Sequence, residues 1–227
     1  MSADVPLLDR LVHDLKGPLA PLQTAAYLLG RDDLPPERRR ELLDTLERQS
    51  RRLAQMIDEA GDWVRASQQR LVGRRDHCEL GLMLDTTVGG IAGCTVEPSV
   101  PAELVEQALV VDEARLQQML AALIRHASAR DPAHPPSLTA AAVPGGVRIT
   151  VSDRGPALDR AALAGLLERP VEVPGDAGLG LRLLIANAIV RAHGGTLTAV
   201  PGEGGPGLSL VCELPFTMPG GVTGATP

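Results

Sequence analysis

Aromatic residues are nearly absent from this sequence of 227 residues, which contains one Tyr, one Trp and one Phe. Proteins that bind single-stranded nucleic acid stack the bases on several aromatic side chains, and aromatic ligand cages also need more than one ring. The chain therefore lacks the residues for either kind of site. Its hydrophobic core must consist of aliphatic side chains, which are abundant in a sequence that is 44% hydrophobic.

Cysteine, long apolar runs and excess positive charge are also lacking. Three cysteines, Cys78, Cys94 and Cys212, lie far apart and form no C-x-x-C motif, so neither a disulfide framework nor a zinc site is predicted. The formal net charge of −6 disfavours nucleic acid as a partner, because its phosphates attract basic proteins. No apolar run reaches the roughly 18 residues of a membrane-spanning helix. We therefore expect a soluble, cytoplasmic protein without membrane insertion.

Two long helices are predicted in the first third of the chain. Apolar residues recur every three or four positions over Leu7–Leu29 and again from Leu42 to about Ser67, with Pro35 and Pro36 between the two patterns. Such helices form a hairpin with an apolar stripe on each arm, and one hairpin cannot cover both stripes. Residues 1–70 are therefore predicted to be a helical hairpin that forms a four-helix bundle with a second copy.

Shorter elements follow the hairpin. The sequence predicts a helix over 112–130, strands over 138–143 and 147–152, a helix from 181 to about 192, and strands over 196–200 and 208–214. These elements indicate an α/β domain within residues 71–216, so the whole chain is predicted to be α+β. Residues 217–227 are predicted to be a disordered tail.

A histidine and a carboxylate are neighbours in the run His13-Asp14-Leu15-Lys16-Gly17-Pro18-Leu19 on the first predicted helix. An exposed imidazole is a nucleophile near neutral pH, and an adjacent carboxylate can orient the ring and accept its proton as a phosphoryl group arrives. Pro18 has no amide proton for the Asp14 carbonyl, so it predicts a kink. The alternative interpretation is a surface histidine beside a tolerated bend.

This run resembles the H-box of sensor histidine kinases, H-[ED]-L-[RK]-x-P-L, and six of its seven positions agree. The resemblance implies that His13 is the phosphoacceptor and that Asp14 assists the transfer. It also implies a homodimer, with the receiver domain of a response regulator as the partner that takes the phosphoryl group.

Two later segments resemble the ATP-binding boxes of the same family and occur in the same order. Residues 153–158 resemble D-x-G-x-G-[IL], which implies that Asp153 accepts the adenine amino group, with Gly155 beside it. Residues 176–181 resemble G-x-G-L-G-L, whose glycines let backbone amides approach phosphate. This second resemblance implies nucleotide contacts from Gly178, Leu179, Gly180 and Leu181. The resemblance to these ATP-binding boxes implies a Bergerat-type α/β sandwich for residues 71–216.

The N-box helix departs most from the family pattern N-L-L-x-N-A. His126 stands where the family has the asparagine that holds Mg²⁺, and Mg²⁺ prefers oxygen ligands. His126 is either a ligand of a softer metal ion or a residue without a metal role, and Arg130 is expected to meet phosphate. The segment 166–175 is short for an ATP lid. Binding of ATP and Mg²⁺ is therefore expected to be weakened or lost.

Three hypotheses account for these features. The first is a histidine kinase core that phosphorylates His13 from ATP and passes the group to a response-regulator aspartate, which the order of the boxes favours. The second is a phosphotransferase that relays phosphoryl groups between receiver domains without ATP, which the altered N-box and short lid favour. The third is a pseudokinase that only binds and regulates a partner.

Overall fold

The computed structural model describes residues 11–31, 33–171, 178–202 and 205–216. The chain divides into two compact units, one comprising Met1–Val64 with Val171–Leu181 and the other comprising Arg65–Pro170 with the chain from Arg182 onward. A helical region therefore precedes a mixed α/β region, and the predicted α+β class is confirmed. The domain boundary at residue 70 stays a prediction, and the predicted tail lies outside the described residues.

Helices make up most of the first unit. Residues 11–16 are helical, Gly17 and Pro18 form a turn, and helices α1 (Leu19–Leu29) and α2 (Pro36–Ser67) follow. The Gly17 amide donates to the Asp14 carbonyl at 3.1 Å, because Pro18 has no amide proton to donate there. The helix predicted over 7–29 is thus interrupted at its proline, and residues 7–10 lie outside the described range. No described helix combines the length and apolarity needed to cross a membrane.

The second unit is built around a five-stranded sheet with the order β2-β4-β5-β7-β6. Its strands are β2 (Pro98–Ser99), β4 (Ser137–Val143), β5 (Gly146–Ser152), β6 (Thr196–Pro201) and β7 (Leu208–Pro215). The β2–β4 pair is parallel and the other described pairs of this sheet are antiparallel. A separate two-stranded sheet pairs β1 (Asp76–Glu79) with β3 (Ala108–Val111).

Five helices complete the described part of the second unit, namely α3 (Leu80–Gly89), α4 (Ala102–Val105), α5 (Glu113–Arg130), α6 (Arg160–Gly165) and α7 (Arg182–Ala192). Helices α5 and α7 pack against each other, α5 against β5 and α7 against β6 and β7. Along α5, buried apolar side chains recur every three or four residues, which is the pattern of a helix with one face in the core: Leu116, Met119, Leu120, Leu123, Ile124 and Ala127.

The longer elements of this unit confirm the sequence predictions to within one or two residues. The short elements β1, β2, β3, α3, α4 and α6 were not predicted. Helix α4 spans four residues and strand β2 spans two. Segments this short cannot show a hydrophobic period, so only tertiary packing defines them. Helix α3 is longer, and its buried Leu80, Met83, Leu84 and Thr87 follow the helical spacing, but the sequence prediction missed it.

His193 connects the end of α7 to the start of α5. Its side chain is buried. Nδ1 lies 2.8 Å from the Ile189 carbonyl oxygen, and the Asp112 amide donates to Nε2 at 3.0 Å. The ring is therefore neutral, with its proton on Nδ1. Burial is the main reason that the pKa of His193 is lowered from its ordinary value.

Lowering the pH from about 7.5 to about 5.5 is expected to reduce the free energy of unfolding of the second unit. Below pH 6.5, the ordinary pKa of histidine, the unfolded chain binds a proton at His193 that the folded chain excludes, so stability falls with pH. Thermal unfolding across this range measures the effect. His193→Gln should flatten the dependence of the melting temperature on pH, because glutamine binds no proton in either state. An equal dependence of stability on pH in wild type and His193→Gln would contradict the buried, neutral state of His193.

Candidate functional site

His13 and Asp14 form a pair on the helical residues 11–16. The imidazole is 88% exposed, and its Nδ1 lies 3.4 Å from the Asp14 Oδ1 atom. With the proton on Nδ1 facing the carboxylate, the Nε2 atom carries a lone pair toward solvent. A histidine in this arrangement can act as a nucleophile toward a group that approaches from outside the helix.

The exposure of His13 follows from its neighbours in the helix. Leu11 and Pro18, seven residues apart, are both buried, whereas Val12 and Lys16 are exposed. A spacing of seven residues corresponds to two helical turns, so these two buried residues mark the inward side of the chain. The turn at Gly17-Pro18 ends the helical stretch one turn after His13.

Asp153 lies at the centre of a second group of predicted site residues, in the second unit. It directly follows strand β5, and its side chain is 1% exposed. The Gly155 amide donates to Oδ1 at 2.8 Å, and the Arg130 Nε atom donates to Oδ2 at 2.8 Å. Arg130 also donates through Nη2 to the Pro156 carbonyl oxygen. The fold therefore brings together three of the predicted residues, Arg130, Asp153 and Gly155.

Two glycines allow the backbone around Asp153 to pack this closely. A Cβ atom on Gly155 would lie 2.8 Å from the Arg130 carbonyl oxygen. Gly207 has a φ of +141°, and its Cβ would lie 2.3 Å from the Asp153 carbonyl oxygen. A side chain at either position would force the backbone apart. Sequence reasoning did not single out Gly207, although the Gly-rich turn before β7 was a signal.

The glycine-rich segment belongs to the first unit, where it contacts helix α2. The Leu179 amide donates to the Glu59 Oε2 atom at 2.8 Å, and the Glu59 side chain is buried. A Cβ atom on Gly178 would lie 2.3 Å from Glu59 Oε1. Gly180 has a φ of +76°, and its Cβ would lie 2.5 Å from the Val171 carbonyl oxygen. Sequence reasoning missed Glu59, which reads as an ordinary polar position of a helix.

The backbone of this segment fits an anion. A carboxylate is a negatively charged oxygen acceptor, as phosphate is, and the Leu179 amide already donates to one. The Glu59 carboxylate occupies this position, beside Gly178, so a phosphate group would have to displace it. The phosphate contacts of Gly178, Leu179, Gly180 and Leu181 stay a prediction, and Asp153 could accept from a base only if Arg130 left its Oδ2 atom.

The side chains do not fit a magnesium ion held by the protein. His126 lies on α5 and is partly buried, and it offers nitrogen where Mg²⁺ prefers oxygen. Within the described parts of the chain, no cluster of three or more His, Cys, Asp and Glu side chains could hold a metal ion.

Protein-family models match the two parts of the chain that carry these groups. Residues 7–69 match the His Kinase A (phospho-acceptor) domain, which contains His13. Residues 111–218 match the histidine kinase-, DNA gyrase B-, and HSP90-like ATPase domain, which contains Asp153 and the glycine-rich segment. The chain belongs to the sensor histidine kinase family. The recognition made from the H-box and the ATP-binding boxes is confirmed.

Individual histidine kinases are similar along most of the chain. The sensor protein KdpD of Mycobacterium tuberculosis is 30% identical over 220 residues, which are 92% of this chain and 25% of KdpD. The structure of full-length ShkA in complex with AMPPNP is 25% identical, with a TM-score of 0.66, and the match covers 93% of this chain and 46% of ShkA. The structure of histidine kinase ThkA in complex with response regulator protein TrrA shows the same fold, with a TM-score of 0.73 and 18% identity. That match covers 95% of this chain and 63% of the ThkA chain. The chain spans about a quarter of KdpD.

Proposed function

We propose that this histidine kinase core transfers the γ-phosphoryl group of ATP to His13 and then to an aspartate of a response regulator. The observation that carries the proposal is the exposed imidazole of His13, whose Nδ1 faces Asp14 at 3.4 Å. The AMPPNP bound to the similar protein ShkA supports ATP as the donor.

The chemistry needs one nucleophile and one carboxylate. Nε2 of His13 forms a bond to the γ-phosphorus while the bond from that phosphorus to the bridging oxygen breaks, and ADP leaves with the electron pair. The imidazole ring gains positive charge, which Asp14 stabilises by holding or accepting the Nδ1 proton. In the second step a carboxylate oxygen of the response regulator bonds to the phosphorus as its bond to Nε2 breaks.

Incubation with γ-labelled ATP and a divalent cation tests the first step. Wild type should become labelled, and His13→Gln should not. The matched control is His134→Gln, because His134 also has a carboxylate, Asp131, beside its Nδ1 atom, at 3.0 Å. This control should be labelled like wild type. Label on His13→Gln, or no label on wild type at saturating ATP, would refute the proposal.

A response regulator is the partner that the second step requires. The similar kinase ThkA was solved in complex with the response regulator protein TrrA, which supports a receiver domain as the acceptor here. The separated phosphorylated protein, free of nucleotide, should lose its label to a cognate receiver domain. Replacing the acceptor aspartate of that domain should prevent the loss.

A homodimer is proposed because several apolar side chains on the hairpin are about half exposed in a single chain. Val12 and Leu19 are seven residues apart and about half exposed, and so are Ile57 and Val64 on α2. Apolar residues repeating every seven positions are typical of helices that pack in bundles and coiled coils. A second copy of the hairpin offers the same stripes and would bury them.

Replacing Ile57 with glutamate is expected to shift the protein from dimer to monomer. The new carboxylate would be buried without a partner in the dimer and hydrated in the monomer. Sedimentation velocity measures the change. Leu82→Glu is the matched control, since Leu82 is 62% exposed but lies on α3 in the second unit, and it should remain dimeric. Wild type sedimenting as a monomer would refute the dimer.

A further inference from the structure

Arg130 covers the carboxylate that the proposed function assigns to the nucleotide base. Its Nε atom lies 2.8 Å from Asp153 Oδ2, and the Gly155 amide donates to Oδ1. The Asp153 side chain is 1% exposed and the Arg130 side chain is 13% exposed. A ligand that approaches Asp153 therefore meets the guanidinium first.

A second contact keeps Arg130 in this position. Its Nη2 atom donates to the carbonyl oxygen of Pro156, three residues after Asp153 in the chain. The two bonds use two of the five N–H donors of the guanidinium. Because the group is planar and its donors have fixed directions, contact with both partners at once holds it over the Asp153 loop.

The guanidinium changes the kind of base edge that the site accepts. Adenine presents an amino group, which is a hydrogen-bond donor, at the position where a 6-oxo purine presents a carbonyl oxygen. A carboxylate accepts from the amino group, whereas a guanidinium can only donate. With Arg130 on Asp153, an adenine base therefore meets donors where it needs an acceptor.

We propose that Arg130 is a specificity-determining residue that closes the Asp153 carboxylate to adenine, so that ATP binds only when the guanidinium has left Oδ2. This proposal rests on the proposed function, because it takes Asp153 as the residue that reads the base. It assigns Arg130 to the base end of the nucleotide, whereas the sequence resemblance placed it at the phosphates.

Calorimetric titration with ATP and with inosine triphosphate tests the proposal, since the two nucleotides differ only in the base edge at issue. Arg130→Gln should bind ATP at least about tenfold more tightly than wild type does, while its affinity for inosine triphosphate changes little. The matched control is Arg148→Gln, which removes the guanidinium of an exposed pair with Glu213 in the same unit. It should bind both nucleotides as wild type does.

Unchanged or weaker ATP binding by Arg130→Gln, at a temperature at which this variant is folded, would overturn the proposal. If Arg130→Gln does not fold, Arg130→Lys replaces it, because lysine keeps the charge but cannot bridge Asp153 and Pro156 with a planar group. Its ratio of ATP affinity to inosine triphosphate affinity should exceed that of wild type, and an equal ratio would also overturn the proposal.

The proposed kinase function fails by a different result. Tighter ATP binding by Arg130→Gln without any label on His13 would leave the role of Arg130 intact and refute the kinase. Label on His13, with no gain in ATP affinity in Arg130→Gln, would support the kinase function and refute the role of Arg130.

Discussion

Replacing Asp153 with alanine is expected to lower the free energy of unfolding of the second unit by about 3–5 kcal/mol, the usual cost of removing one partner of a buried ion pair. The substitution leaves the Arg130 guanidinium without its carboxylate and the Gly155 amide without its acceptor. Both groups lost their hydration when the chain folded, so neither regains it fully in the variant. Chemical denaturation, with the sheet as the spectroscopic probe, measures the loss.

A matched exposed pair separates this effect from the loss of any carboxylate. Glu213 is 42% exposed and pairs with Arg148 at 2.7 Å on the surface of the same sheet. Glu213→Ala should cost at most about 1 kcal/mol, because water replaces the lost partner. Equal losses for Asp153→Ala and Glu213→Ala would show that the Arg130–Asp153 pair is not a buried structural contact.

Replacing Asp14 with alanine is expected to slow labelling of His13 by about 100-fold or more, the usual contribution of a positioned acid–base group. The Asp14 carboxylate faces Nδ1 at 3.4 Å and holds the ring proton on that atom, which keeps the lone pair on Nε2. Without it, the ring loses the group that stabilises its positive charge in the transition state. Initial rates of label incorporation at saturating ATP measure the effect.

Two further variants identify the cause of any change. Asp14→Asn should label at an intermediate rate, because its amide oxygen can accept the Nδ1 proton in a hydrogen bond but carries no charge. Asp131→Asn should label at the wild-type rate, since Asp131 lies beside His134 and not beside His13. A wild-type rate for Asp14→Ala would remove Asp14 from the mechanism.

Much of the fold could be predicted from the sequence because its longer elements carry a clear hydrophobic period. Helix α5 and strands β4 and β5 begin and end within one or two residues of the predicted bounds. The first helix turns at Pro18, where the sequence predicted a kink, and there the apolar period continues but the hydrogen bonding does not. Periodicity reports which face is buried, not whether each amide has a proton.

The candidate site was predictable in its residues but not in its contacts. The H-box and the ATP-binding boxes carry sequence patterns, so His13, Asp153 and the glycine-rich segment could be named in advance. Arg130 and Asp153 are 23 residues apart, and Glu59 and Leu179 are 120 apart. These pairings depend on how separate elements pack, and a carboxylate in a sequence does not show which donor the fold places beside it.

The position of the phosphoryl group in the purified protein tests the central claim most directly. After incubation with ATP, nuclear magnetic resonance of the phosphorylated chain distinguishes a phosphate on Nε2 from one on Nδ1, and mass spectrometry under alkaline conditions identifies the residue. A phosphate on Nε2 of His13 is the predicted result. A phosphate on Nδ1, on another residue or on none would contradict the account.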